Sequence, residues 1–495
     1  MSEFSREEIL ERLKRGESLA KTDLSRANLR EASLCRAPLR GANLQNADLE
    51  GADLSQADLE GALLSFAKLT KAKLPNSNLK GAYLSGAQLN GADLREDRLE
   101  KANLNGANMA EALLNRAQLT EAQLSETNLS RADLTEASLV GIKAEKANME
   151  EALLQGANLT SSHLERVNLK RAKLQGADLS KANLKGATLP ESDLQGACFY
   201  EVYFPSADFR GSNLAGASFN LAHLKGANFE NLKLNKINLK GSNLQNASFK
   251  NSSLTGSDLS NARLKAANFF SADLSGTKLR EAELEEANLK NVNLKGADLE
   301  RTNLEGANLV GANLTDVNLR WANLRGADLS QTNLEGADLS NAIMDGADLY
   351  GAELTSGRLS TVKKAAQCPY CGTYQEKREK CVRCSKSFPT PVVDEPFETN
   401  LPFLSFLLAL LGGPFNFTVT SSLSYLLSEW PRTLTIAINL TIGITLCLSS
   451  IILGLIALSK LPTPPPPRGR NLIWTSGILS LLTIGLIVLL VIYLL

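Results

Sequence analysis

The sequence predicts an all-β solenoid, a four-sided β-helix, and three observations carry that prediction. From Leu19 to Leu359 an apolar residue recurs at every fifth position without a slip, and Leu fills most of the places. A small residue, mostly Ala (Ala27, Ala32, Ala42, Ala47, Ala52), stands two places before each, usually with Asn or Asp between them. Phenylalanines in the apolar places repeat at a spacing of twenty: Phe199 with Phe219, and Phe209, Phe229, Phe249 and Phe269 in series.

A period of five fits neither regular element. On an α-helix, residues five apart advance well past one turn and spiral around every side. On a straight strand, the next Leu points to the opposite face. A corner after each pentad resolves the conflict, leaving Ala and Leu inward on a short extended side. Glycine often falls at the corner (Gly41, Gly51, Gly61, Gly81, Gly91), where positive φ is expected. Aromatic rings stack when one lies above the next, so the spacing of twenty gives four pentads per coil. About 17 coils at ~4.8 Å each make a rod roughly 80 Å long.

The irregular places obey the same packing. Ala144 shrinks an apolar site while Ile142 enlarges the small site beside it, which conserves volume. Leu232 is large for a small site, but Ser212 and Ser252, one coil to either side, are small. Asp97 falls at an inward place; a local opening of the coil is expected there, with Arg95 or Arg98 nearby.

This pattern resembles the pentapeptide repeat family over about two thirds of the chain. The resemblance implies a right-handed quadrilateral β-helix. It implies varied functions: some members mimic DNA and protect type II topoisomerases from quinolones, and others are interaction proteins, often bacterial.

Taken in order, residues 1–16 read as a capping helix over the first coil. Ser5 and Glu8 have capping-box spacing, Ile9, Leu10 and Leu13 make one apolar edge, and Gly16 suits the stop. The β-helix occupies 17–360. Its outward places are polar and without pattern except at two points. Tyr200 and Tyr203 project beside Phe199, Phe204 and Pro205, and Trp321 stands alone near an acidic end. Exposed aromatics are favoured interface anchors, so these three are the candidate partner-binding residues.

Residues 361–388 carry two C-x-x-C knuckles, Cys368 with Cys371 and Cys381 with Cys384. Four thiolates suit tetrahedral Zn²⁺ and leave no open position for catalysis, so a zinc-ribbon-like module with structural zinc is expected; redox thiols or disulfides are the alternative. A linker rich in proline and acid follows at 389–400. Residues 433–459 and 472–495 are uncharged runs long enough to span a membrane as helices. The loop between them, 460–471, holds four consecutive prolines and three positive charges, placing it on the cytoplasmic side. Residues 401–427 are uncharged but broken by Gly412-Gly413-Pro414, so two or three spans remain open; three would leave the repeats cytoplasmic.

The chain carries 53 basic and 53 acidic residues, so no global field selects an anionic partner. The balance is uneven locally: 166–250 is basic and 281–353 acidic. The opening residues are polar and read as no signal peptide. Catalysis finds no footing. The only two histidines, His163 and His223, stand isolated at outward places, and no phosphate-binding loop occurs. The expectation is a non-enzymatic, membrane-anchored scaffold for protein partners, with self-association open and nucleic acid disfavoured. A DNA-mimic topoisomerase binder needs a continuous acidic stripe, and a regulatory subunit of a transport complex needs charges inside the spans.

Overall fold

The computed structural model describes residues 4–353 and the backbone of two short strands, Ala365–Gln367 and Tyr374–Glu376. All belong to the first of the chain's two units, Met1–Pro389.

Helix α1, Arg6–Lys14, opens the unit. The Ser5 hydroxyl accepts the Glu8 amide at 3.2 Å, Glu7 and Glu8 stand in the first turn, and Gly16 leaves the helix with φ 73°. Ile9 is fully buried, and Phe4, Leu10 and Leu13 pack against the same core. The helix thereby covers the apolar end of the first coil, which a solenoid must shield from water.

The coils follow. Parallel bridges join the middle outward residue of nearly every pentad to the residue twenty places on, from Asp23 with Asn43 to Asn333 with Glu353. Four pentads therefore close one coil, and each residue stacks on its counterpart twenty away. One pentad shows how the backbone is satisfied. Leu44 donates to Leu63 O (2.7 Å), Asn46 to Ser65 O (3.0 Å), and Asp48 back to Ala27 O (2.9 Å). Ala47 closes the corner on Leu44 O (3.1 Å). The fifth amide, Gln45, donates to the Oδ1 of Asn43 at 3.2 Å. This explains the Asn or Asp found in most pentads: its side chain accepts the one amide that the ladders leave over. The same amides stack along a face, as in Asn168 Nδ2 to Asn148 Oδ1 (3.0 Å) and Asn323 Nδ2 to Asn303 Oδ1 (2.9 Å).

Positive φ is not confined to the glycines. Every corner has it, including Arg26 (58°), Phe66 (59°), Ala266 (56°) and Trp321 (62°). No described corner carries Val, Ile, Thr or Pro, the residues whose branching or ring forbids that conformation.

Ala and Leu fill the bore from end to end, almost all of them fully buried. The four phenylalanine pairs spaced by twenty all stack, with centroids 4.5 Å apart for Phe199–Phe219 and 4.8 Å for Phe209–Phe229. The next two pairs follow at 4.9 and 4.8 Å. Ile142 and Ala144 are both fully buried. Hydroxyls that replace Ala donate to backbone carbonyls, such as Thr127 to Leu104 O and Ser162 to Leu139 O, both 2.8 Å.

Asp97 departs from the expectation. No opening forms, and the side chain is 0% exposed. Arg95 turns outward to Asp93 (2.7 Å), and Arg98 lies 3.6 Å from Glu100. Ser77, one coil earlier, is small enough to admit the carboxyl, and its amide donates to Asp97 Oδ1 at 2.7 Å. Burial pushes this carboxyl up to about 8. It sits protonated at neutral pH, which avoids the cost of a buried ion.

After the coils, β1 (Ala365–Gln367) pairs antiparallel with β2 (Tyr374–Glu376). The cysteines at 368, 371, 381 and 384 lie outside the described residues, as do the expected membrane spans. Among the described residues no helix is long and apolar enough to cross a membrane.

Candidate interaction face

Stacking at twenty sorts the outward residues into columns, three per pentad and twelve per coil. Most columns are self-satisfied. Charges pair up the wall one coil apart, as in Arg40–Glu60 (2.8 Å), Arg116–Glu136 (2.8 Å) and Arg263–Glu283 (3.4 Å). Carboxylates also fold onto their own loops: the Ser55 hydroxyl and amide hold Asp53 below the usual carboxylate range.

Among the described residues seven large apolar side chains are exposed: Phe66, Tyr83, Leu113, Tyr203, Leu221, Trp321 and Tyr350. Five of them occupy three of the twelve columns. Tyr83 and Tyr203 lie on one face, the one built on Asp23, Asn43, Leu63 and their successors. Leu221 and Trp321 occupy the corner before that face, and Phe66 the corner after it. Trp321 is 51% exposed and Tyr203 45%. The same face carries both histidines, and the His223 ring stands 6.3 Å from that of Tyr203.

The three candidates from the sequence thus meet on one edge. Tyr200, half-buried, and Tyr203 flank the corner at Glu201, and Trp321 stands six coils further along the same corner column. The Glu201 carboxylate beside Tyr200 holds its phenol above the usual range. The sequence reading missed Phe66, Tyr83 and Leu221. Phe66 lies against Gly86, where a Cβ would stand 2.5 Å from the ring, and Leu221 lies in the same way over Gly241. The signal was present in the numbering: binning outward residues in steps of twenty assembles the face.

Nothing on this wall resembles a catalytic cleft. The grooves are shallow corners, such as the one between Arg40, Glu60 and Lys80. Among the described residues no cluster of His, Cys, Asp or Glu is placed to hold a metal.

Comparison with known proteins agrees with the coil. Eight matches to a family model described as pentapeptide repeats cover residues 22–61, 62–96, 98–131, 132–171, 168–204, 267–306, 293–331 and 322–360. Together they span more than half of the chain. The chain belongs to the pentapeptide repeat family. A pentapeptide repeat region model also matches 187–259. Members form right-handed quadrilateral β-helices and are generally non-enzymatic interaction proteins. HetL of the cyanobacterium Nostoc sp. strain PCC 7120, involved in heterocyst differentiation regulation, is 31% identical. The match covers 52% of this chain and 90% of HetL, with a TM-score of 0.21. A pentapeptide repeat protein of the Arabidopsis thaliana thylakoid lumen is 36% identical over 19% of this chain and 66% of its own, with a TM-score of 0.19. QnrB1, a plasmid-mediated fluoroquinolone resistance protein, is 19% identical over 41% and 91%, with a TM-score of 0.22. No curated protein matches the chain.

Proposed function

We propose that this pentapeptide repeat protein is a non-enzymatic, membrane-anchored scaffold whose β-helix offers the Tyr203 face to protein partners. The observation that carries the reading is the gathering of five exposed apolar side chains into three of the twelve columns, on one face and the two corners that bound it. Surface aromatics anchor interfaces when they cluster. Anchoring rests on the uncharged runs at 433–459 and 472–495, and the cytoplasmic placement of the repeats on the basic loop between them.

Zinc is the cofactor of this reading. The first C-x-x-C lies in sequence between the paired strands β1 and β2, which is the setting of a zinc knuckle, and Cys368, Cys371, Cys381 and Cys384 would supply four thiolates. Purified full-length protein should carry one zinc per chain, and Cys368→Ser with Cys381→Ser should lose it. Protein with no bound zinc, expressed with zinc supplied, would refute the assignment.

The acidic end argues against DNA mimicry. Several of its carboxylates are drawn into pairs, among them Glu281 with Arg301 (3.5 Å), Glu300 with Arg280 (2.9 Å) and Asp345 with Arg325 (3.5 Å), so cations interrupt the anionic stripe there. A photo-crosslinker placed at Tyr203 in the full-length chain should yield discrete protein adducts from mild detergent. The same probe at Lys233, two faces away, should not. Equal adducts from both positions would sink the proposal.

A further inference from the structure

We propose that two copies of the chain pair antiparallel along the edge that carries Trp321. This goes beyond the reading of the Tyr203 face: the contact lies on the corner before that face, and the partner there is a second copy.

Two neighbouring columns make the edge. One is the corner column through Lys101, Lys181, Glu201, Leu221, Glu281 and Trp321; the other holds the residue before each corner, including Glu60, Lys80, Glu100, Arg280, Glu300 and Arg320. A twofold axis lying in the contact surface and across the stack reverses the stacking direction. It sets each column of one copy against the same column of the other. One register then places Trp321 against Gly61 of the second copy. In that register Lys101 faces Glu281, Lys181 faces Glu201, Lys80 faces Glu300, Glu60 faces Arg320 and Glu100 faces Arg280. Wherever two charged residues meet in these columns, their signs are opposite.

Shape agrees with charge. Nothing lies within 4 Å of the place a Cβ would take on Gly61, and the adjoining groove measures about 370 Å³. It can take the Trp321 indole, which is half exposed in one copy alone. At mid-stack the exposed Leu221 meets Ser161. The span from Gly61 to Trp321 is 13 coils. A strip about 10 Å wide over that length buries roughly 1,200 Å² in total, the lower end for a specific interface. Several of these charges already pair within one copy, Lys101 with Glu121 (3.5 Å) and Arg280 with Glu300 (2.9 Å). Across the interface they become networks that set the register more than the strength.

The test uses full-length protein in mild nonionic detergent, with mass read by light scattering and folding checked by circular dichroism. The wild type should be a dimer. Trp321→Ala and Lys101→Glu should each weaken self-association about tenfold, and adding Glu281→Lys to Lys101→Glu should restore it. In a mixture of ¹⁴N- and ¹⁵N-labelled chains, a photo-reactive phenylalanine replacing Trp321 should link to the peptide containing Gly61 of the other copy. A monomeric wild type, a dimer indifferent to these variants, or a link to residues around Trp321 of the other copy overturns the pairing. A monomer that still gives discrete protein adducts from Tyr203 overturns the pairing alone and leaves the binding face standing.

Discussion

Ala266 holds φ 56° at a corner, a conformation that costs a residue with a Cβ about 1–2 kcal/mol. Glycine, which usually weakens regular structure, should therefore help here. Ala266→Gly should stabilise its coil by about 0.5–1 kcal/mol, and Ala266→Val should cost at least about 1 kcal/mol. Amide hydrogen exchange in the flanking coils reads both; a loss of protection in the glycine variant would refute the account. Asp97 gives a second residue-scale prediction. Its carboxyl is protonated in the fold up to about pH 8 but ionises in the unfolded chain near pH 4. The folded state thus holds an extra proton between those values, and stability falls as pH rises through the window. The whole effect is of order 5 kcal/mol, and Asp97→Asn should abolish it. Urea midpoints at pH 5 and 8.5 that move equally in wild type and variant would contradict this. Neither residue's state was legible in the sequence. Arg95 and Arg98 flank Asp97 in the chain, yet alternation turns both outward, and the partner it finds is Ser77, twenty residues away.

The phenylalanine column and the N-terminal helix are the elements where sequence and structure speak most directly to each other. Spacing alone counted the sides of the coil, because stacked rings demand a common position in successive turns and the four pairs at twenty all stack. Phe229 packs between Phe209 and Phe249, so Phe229→Ala should cost about 3–5 kcal/mol. Phe229→Leu restores the usual occupant of the column and should cost only about 1 kcal/mol. Comparable thermal destabilisation by the two would show that the stack contributes little. At the helix, Ile9 carries the contact with the first coil. Ile9→Ala should lose about 2–4 kcal/mol, seen as faster exchange at Leu19 and Leu24 and not at mid-stack. What the repeat hid was the task of the central Asn or Asp. Composition showed the residue in place, but only the completed hydrogen-bond count shows that its oxygen takes the amide the ladders leave over.

Over the whole β-helix, the quarter turn per pentad ties sequence spacing to direction. Removing 287–306 takes out one full coil and should leave Trp321 in line with Glu201; removing 302–306 should swing it to the adjoining corner. Spin labels at residues 203 and 323 measure the difference by pulsed resonance: about 4.8 Å of shortening in the first case and a change of direction in the second. The proposed interaction face was half visible. Tyr200, Tyr203 and Trp321 stand out as bulky residues among small polar ones, whereas Phe66, Tyr83 and Leu221 join them only after the chain is wound. Where Asn or Asp holds the middle place, every amide of the pentad is taken, by a ladder, a corner or that side-chain oxygen, and those flanks of the coil offer an incoming strand no free donor. Recognition along them has to be written in side chains that take no part in holding the backbone. Such a wall can be re-lettered, one outward residue at a time, and remain standing, so related chains are free to change partners without changing shape.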